Sequence, residues 1–144
     1  MSATSQPQDS PIGFVRDHIR RYVDSGGTDG HDWQGTTIVL LTTTGRRSGE
    51  ARRTALIYRE VDGEYVIVAS KGGAPQHPAW FLNLTDNPEV RLQVKDEEFA
   101  GRARVADEAE RAKLWPLMTE VWPDYDNYQT KTDRQIPVVV ITRT

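Results

Sequence analysis

Two short stretches of this chain hold residue types whose spacing suits chemistry. The first is TTTGRRSGEAR, Thr42 to Arg52, where hydroxyls and glycines surround the adjacent cations Arg46 and Arg47. Exposed backbone N–H groups, small hydroxyls and guanidinium forks in a tight turn suit a phosphate. The same composition also suits a solvated hairpin turn that keeps a sheet edge soluble. It is not a P-loop, because the glycines are misplaced, no Lys-Ser or Lys-Thr follows, and the next segment is strand-like. No G-x-G-x-x-G occurs in the chain, so a dinucleotide fold of the usual kind is disfavoured. The second stretch is VASKGGAPQHPAWFLNL, Val68 to Leu84. Here a strand ends in Ser70-Lys71-Gly72-Gly73 and the chain reaches a helix start near Pro78. Paired glycines let the backbone approach a flat ligand, and free N–H groups can meet a ring carbonyl or an ionised ring nitrogen. A flexible loop that caps a helix is the plainer alternative, with Trp80 and Phe81 serving either as core filler or as a wall beside a planar cofactor.

The totals narrow the classes of chemistry. At 144 residues, with 37% hydrophobic and 27% charged, one core is the expected solution. The net charge of −3, from 18 basic and 21 acidic residues, argues against general nucleic-acid binding. Arg46, Arg47, Arg52, Arg53 and Arg59 nevertheless cluster around a single acid, Glu50, which makes a local anion site. There is no cysteine, which removes disulfides, thiolate nucleophiles and cysteine-held clusters, so redox chemistry must come from a cofactor. His18, His31 and His77 lie too far apart in sequence to form a short-spaced ligand pair, and no metal is expected. No apolar run reaches the ~20 residues of a membrane span and no secretory signal is visible, so the cytoplasm is the expected compartment.

The chemistry-bearing stretches need a scaffold, and the rest of the chain predicts it. Residues 1–10 read as a flexible tail and 11–144 as one domain. Phe14, Val15, Ile19, Tyr22 and Val23 recur at helical spacing, with arginines between them. This amphipathic helix either packs on the domain or touches the inner face of the membrane through residues 11–24. Six β-branched segments follow, at 36–43, 53–61, 65–70, 90–94, 98–105 and 136–142, and Asp62-Gly63 marks a hairpin between two of them. One helix is expected from Pro78 to Leu84. Another opens at Asp107, with Glu110 as the partner of a capping box, and is kinked or restarted at Pro116. The segment WPDYDNYQTKTDR is expected as a loop that overhangs the site. Six mostly antiparallel strands with three helices favour a mainly β (α+β) fold, a small barrel.

Three ordered motifs carry a family resemblance: LLTTTGRRSGEAR, then VIVASKGGAPQHPAWFLNLTDNPEV, then YDNYQTKTDRQIPVVVI. Together, over residues 12–143, the chain resembles the deazaflavin (F420)-dependent nitroreductases of actinobacteria. These are split β-barrel reductases of the FMN-binding split-barrel type that use reduced coenzyme F420, an 8-hydroxy-5-deazaflavin. The resemblance implies a cofactor site of Arg46, Arg47, Ser48, Gly49, Arg52, Thr54 and Ala55, with Arg47 and Arg52 on the phosphate. It places Ser70, Lys71, Gly72 and Gly73 against the ring, with Pro78 and Trp80 beside it. Tyr125 and Tyr128 match tyrosines near the substrate, and Ile57 and Trp122 stand where the family has other tyrosines. Ala55 replaces a proline common in the family. The departures at Ile57 and Trp122 fall on the expected substrate side, and reduction of bicyclic nitroimidazoles is not implied.

The implied activity is hydride transfer from the reduced deazaflavin to a quinone, an activated enone or a nitro compound, with Tyr125 or Ser70 stabilising or protonating the oxygen that gains charge. Tyr125 and Tyr128 as ordinary packing residues remain an alternative. A flavin mononucleotide oxidoreductase on the same barrel, and a deazaflavin carrier without a substrate of its own, are the competing functions. The acceptor and the oligomeric state stay open at this level.

Overall fold

The computed structural model describes residues 7–144. The first six residues of the expected tail lie outside it, while Gln8–Asp9 form a two-residue strand, β1. The other strands are β2 (Asp32–Trp33), β3 (Thr36–Thr44), β4 (Ala51–Val61), β5 (Glu64–Val68), β6 (Glu89–Val94), β7 (Glu97–Val105) and β8 (Val138–Arg143). Sheet order β4-β5-β8-β7-β6-β3, with β3 also paired to β4, closes six antiparallel strands into a barrel. β2 extends the sheet beside β3, and β1 lies parallel to β4.

Alternation along the strands assigns the layers. Val39 and Leu41 of β3, Ile67 of β5, Leu92 of β6, Phe99 of β7, and Val139 and Ile141 of β8 fill the lumen. The helix α2 (Ala79–Asp86) sends Phe81 and Leu84 into the same cluster. On the outer face of β3, Ile38 and Leu40 meet Ile19 and Tyr22 of α1 (Gly13–Ser25). On the outer face of β5 and β8, Val66, Val68, Val138 and Val140 meet Leu114 and Met118 of α3 (Glu108–Val121) and Tyr125 of α4 (Asp124–Thr130). The expected choice for α1 thus resolves toward packing for Ile19 and Tyr22, while Ile12 and Phe14 remain exposed.

Local signals behave as their chemistry requires. Asp62 and Gly63 both take positive φ, 52° and 79°, the signature of the primed hairpin turn between β4 and β5. Asp107 caps α3 by accepting from the Glu110 N–H at 2.8 Å. Two expectations are corrected. The helix does not restart at Pro116: α3 continues through it as one helix, because Leu114 and Met118 on either side are buried and their packing outweighs one lost ladder bond. The restart falls at Pro123, which precedes α4, so the expected overhanging loop is a fourth helix.

Tyr22 ties α1 to the barrel. Its hydroxyl accepts from the Lys95 N–H at 2.7 Å and lies 3.1 Å from the Ile38 carbonyl and 3.3 Å from that of Gln93, to one of which it donates. Tyr22→Phe leaves the Lys95 N–H without its partner and should cost about 1–3 kcal/mol. Chemical denaturation reads this as a lower midpoint at constant slope; an unchanged midpoint would show the hydroxyl to be dispensable.

Candidate active site

The barrel is split at one seam. β4 and β5 pair only at Arg59 with Val66, Glu60 with Tyr65 and Val61 with Glu64. Continued in register, the ladder would pair Ile57 with Val68 and Ala55 with Ser70. Instead β4 stays with β3 as far as Thr44 opposite Ala51, and β5 stays with β8, with the Ala69 N–H donating to the Pro137 carbonyl at 3.0 Å. Those four would-be partners all line a cavity of about 290 Å³. Beside this gap, part of the β4 edge has no neighbouring strand and keeps its backbone polar groups for water or a ligand.

α1 forms one wall with Phe14, Val15 and His18, and the α3–α4 corner forms the other with Trp122, Tyr125 and Tyr128. Trp33 of β2 reaches across and stacks on Trp122, ring centroids 5.6 Å apart and planes at 24°. His18 Nε2 donates to the Gly30 carbonyl at 2.7 Å, which fixes its tautomer. The Trp122 indole N–H donates to the Tyr128 hydroxyl at 3.3 Å. Tyr125 is 4% exposed, and among the described residues neither its hydroxyl nor that of Ser70 has a hydrogen-bond partner. Burial, and then the neighbouring Tyr128, push the Tyr125 phenol far above its ordinary value, so it stays a protonated donor.

The loop after β5 forms the floor. Ser70 is in the right-handed helical region, and Lys71, Gly72 and Gly73 follow with φ of 46°, 63° and 84°; a right-handed residue followed by a left-handed one is the backbone geometry of an anion-binding concavity. The N–H groups of Ser70, Lys71 and Gly72 have no partner among the described residues. A Cβ on Gly72 would have nothing within 4 Å, whereas one on Gly73 would stand 2.6 Å from the Tyr128 carbonyl. Gly72 therefore borders open space, and Gly73 is the close approach that seats the loop on α4. These unpaired donors, unpaired hydroxyls and apolar walls fit a planar heterocycle with carbonyl edges. Among the described residues no group is placed to hold a metal ion.

The arginine turn joins the end of β3 to the start of β4, and Arg52 just beyond it lies three residues along β4 from Ala55. Gly45 and Gly49 close it by backbone bonds to the Glu50 and Gly45 carbonyls, and Ser48 accepts from the Glu50 N–H. Arg46, although exposed, is tied to α2: its N–H and guanidinium both donate to Asn83 Oδ1, at 3.1 and 3.0 Å, and Asn83 is 5% exposed. The expected cluster of five arginines is therefore mostly committed elsewhere. Arg53 forks onto Asp9, Arg59 donates to the Leu117 carbonyl at 2.8 Å, and Arg52 holds Gln8 with Glu50 nearby. Arg47 alone of the five makes no side-chain bond among the described residues.

Of the sequence-predicted residues, the structure brings Ala55, Ile57, Ser70, Gly72, Trp122, Tyr125 and Tyr128 to one cavity. Arg46, Arg47, Ser48, Gly49, Arg52 and Thr54 lie at or beside the turn, Lys71 and Gly73 in the floor loop, and Pro78 at the start of α2. Trp80 packs partly buried against the lumen cluster, outside the cavity lining. Sequence reasoning missed Trp33, His18, Asn83 and Arg134. Only His18 had a local signal, its place on the buried stripe of α1.

Residues 4–143 match the F420H(2)-dependent quinone reductase family. The chain belongs to that family. It is an oxidoreductase that uses reduced coenzyme F420. The F420H(2)-dependent quinone reductase Rv1261c of Mycobacterium tuberculosis is 38% identical over 136 residues, 92% of this chain and 91% of that one. A solved F420-H2 dependent reductase (FDR-A) is 47% identical with TM-score 0.67, covering 72% of this chain and 92% of its own. A further solved structure, described as a domain-swapped dimer, is 44% identical with TM-score 0.70 over 92% of this chain and 99% of its own.

Proposed function

We propose that this reductase reduces a quinone, with the deazaflavin ring in the gap between β4 and β5 and its phosphate at Arg47 and Arg52. The parted ladder carries this reading: Ala55, Ile57, Val68 and Ser70 face a cavity where strand pairing would otherwise lie. From Ala55 to Arg52 is about 10 Å at ~3.3 Å per residue, so one extended cofactor reaches both along a single strand. Arg47 approaches the phosphate without giving up a protein partner, and Arg52 is steadied by Gln8 and Glu50. When bound, the reduced deazaflavin supplies a hydride from a ring carbon and needs no metal.

The chain's own residues do the rest. The Ser70, Lys71 and Gly72 N–H groups hold the ring edge, and the apolar walls exclude water from the transfer. Trp122, Trp33 and Ile57 confine a flat acceptor on the open side. Tyr125, protonated and without a partner among the described residues, donates its O–H to the acceptor oxygen as that oxygen becomes anionic. A dry cavity makes this bond stronger than it would be in water.

Two experiments test the reading. Purified protein should reduce a soluble quinone with reduced coenzyme F420 at a rate that flavin mononucleotide and NADPH do not approach; equal turnover with flavin mononucleotide would refute the cofactor placement. Tyr125→Phe should keep the fold and the cofactor affinity while lowering kcat/KM roughly 10 to 1000-fold, the span of general-acid and oxyanion groups. The pH profile of the wild type should lack a basic limb near the ordinary phenol value, because the Tyr125 pKa is raised above it. Wild-type rates in Tyr125→Phe would make Tyr125 a packing residue.

A further inference from the structure

Arg134 lies in the segment between α4 and β8, far in sequence from the floor loop, yet its guanidinium is spent on that loop. Nη2 donates to the Ser70 carbonyl at 2.7 Å, Nη1 to that of Ala69 at 3.2 Å, and Nε to that of Ala74 at 2.8 Å. Nη1 also lies 3.0 Å from His77 Nδ1. A guanidinium cannot accept, so His77 receives this bond on a bare nitrogen; burial, then the Arg134 charge, hold the ring below its usual imidazole value and keep it neutral. No carboxylate forms an ion pair with Arg134 among the described residues, although burial lowers its own pKa.

This is an expensive use of a cation, and its geometry says what it achieves. Because the N–H of a trans peptide points opposite its carbonyl, holding the Ala69 and Ser70 carbonyls turns the Ser70 and Lys71 N–H groups away from the fork, and the bond to the Ala74 carbonyl fixes the far end of the turn that carries Gly72. Lys71 sits at φ 46°, a region that costs free energy for a side-chain-bearing residue and persists where the surroundings over-determine it. The fork itself is braced. Gln129 of α4 donates to the Arg134 carbonyl at 2.8 Å and accepts from the Ile136 N–H at 2.9 Å, and Arg111 of α3 donates to both Gln129 and the Ile136 carbonyl.

We propose that Arg134 is a positioning residue: it shapes the Ser70–Gly72 N–H groups into the surface that receives the deazaflavin ring, without touching the ring. This rests on the reading of the β4–β5 gap as the ring site. A lysine has the charge but one donor centre in place of a planar fork, so it cannot hold three diverging carbonyls.

The test is a fluorescence titration with two probes, complete coenzyme F420 and its phosphate-free 8-hydroxy-5-deazaflavin core, on wild type, Arg134→Ala and Arg134→Lys. It is run well below each variant's melting temperature. Both variants should weaken both probes by the same factor, roughly 10 to 100-fold, as expected when a group that only orients a binding residue is removed. A merely structural arginine would lower Tm and leave both affinities of the folded fraction unchanged, which would overturn the proposal. Loss confined to the complete cofactor would also overturn it, by placing Arg134 at the phosphate end. If Arg134→Ala does not fold, Arg134→Lys decides on the same two criteria. Wild-type protein that binds neither probe overturns the cavity reading itself, a result distinct from any Arg134 outcome.

Discussion

The parting of β4 from β5 is the constraint from which the site follows. Each strand is over-committed to another neighbour: β4 runs beside β3 over eight residues, and β5 is held to β8 through Val68 and onward by the Ala69 N–H. A barrel that closed this seam would satisfy more backbone groups and have no cavity. Leaving it open keeps polar edges and apolar side chains together at one place, a combination that a flat, carbonyl-edged ligand can match and bulk water matches poorly. The helices then act as walls. α1 is anchored by Tyr22 on one side, α3 and α4 by the Leu114, Met118 and Tyr125 cluster on the other, and the Trp33–Trp122 stack bridges them.

The arginines show why charge is a poor guide when read alone. Arg53 and Arg59 fasten β1 and α3 to β4, and Arg46 fastens the turn to α2 through Asn83. Arg134 fastens the floor loop. For Arg53 and Arg134 the planar fork matters as well as the charge, because its separate nitrogens meet two or more acceptors at fixed angles. Of the five arginines around the turn, Arg47 is the one without a side-chain bond among the described residues, and no composition count could separate it from its neighbours.

Family membership and geometry speak to different levels. The match over residues 4–143 establishes the cofactor class. The positions at which this chain departs from the resembled pattern, Ala55, Ile57 and Trp122, all line the cavity beside the open seam. Smaller Ala55 and aliphatic Ile57 widen and dry the β4 side, while Trp122 supplies a large flat surface in compensation. These three side chains set the shape and polarity of the space beside the seam.

What the sequence by itself determined was local. The primed turn at Asp62-Gly63, the cap at Asp107, the alternating strands and the two glycine-bearing loops depend on residues a few positions apart, and they stand where the sequence placed them. The motif order was enough to name the cofactor class and seven of the residues that line the cavity. Only the tertiary structure decided that α3 survives Pro116, that the Tyr125 segment is a helix, that Trp33 closes the cavity, and that Arg134 is bonded across 64 residues to the Ser70 carbonyl. Such pairings leave no periodic or short-range mark. They exist because β5 follows β8 instead of β4, a choice made by the closure of the whole barrel and by no segment within it.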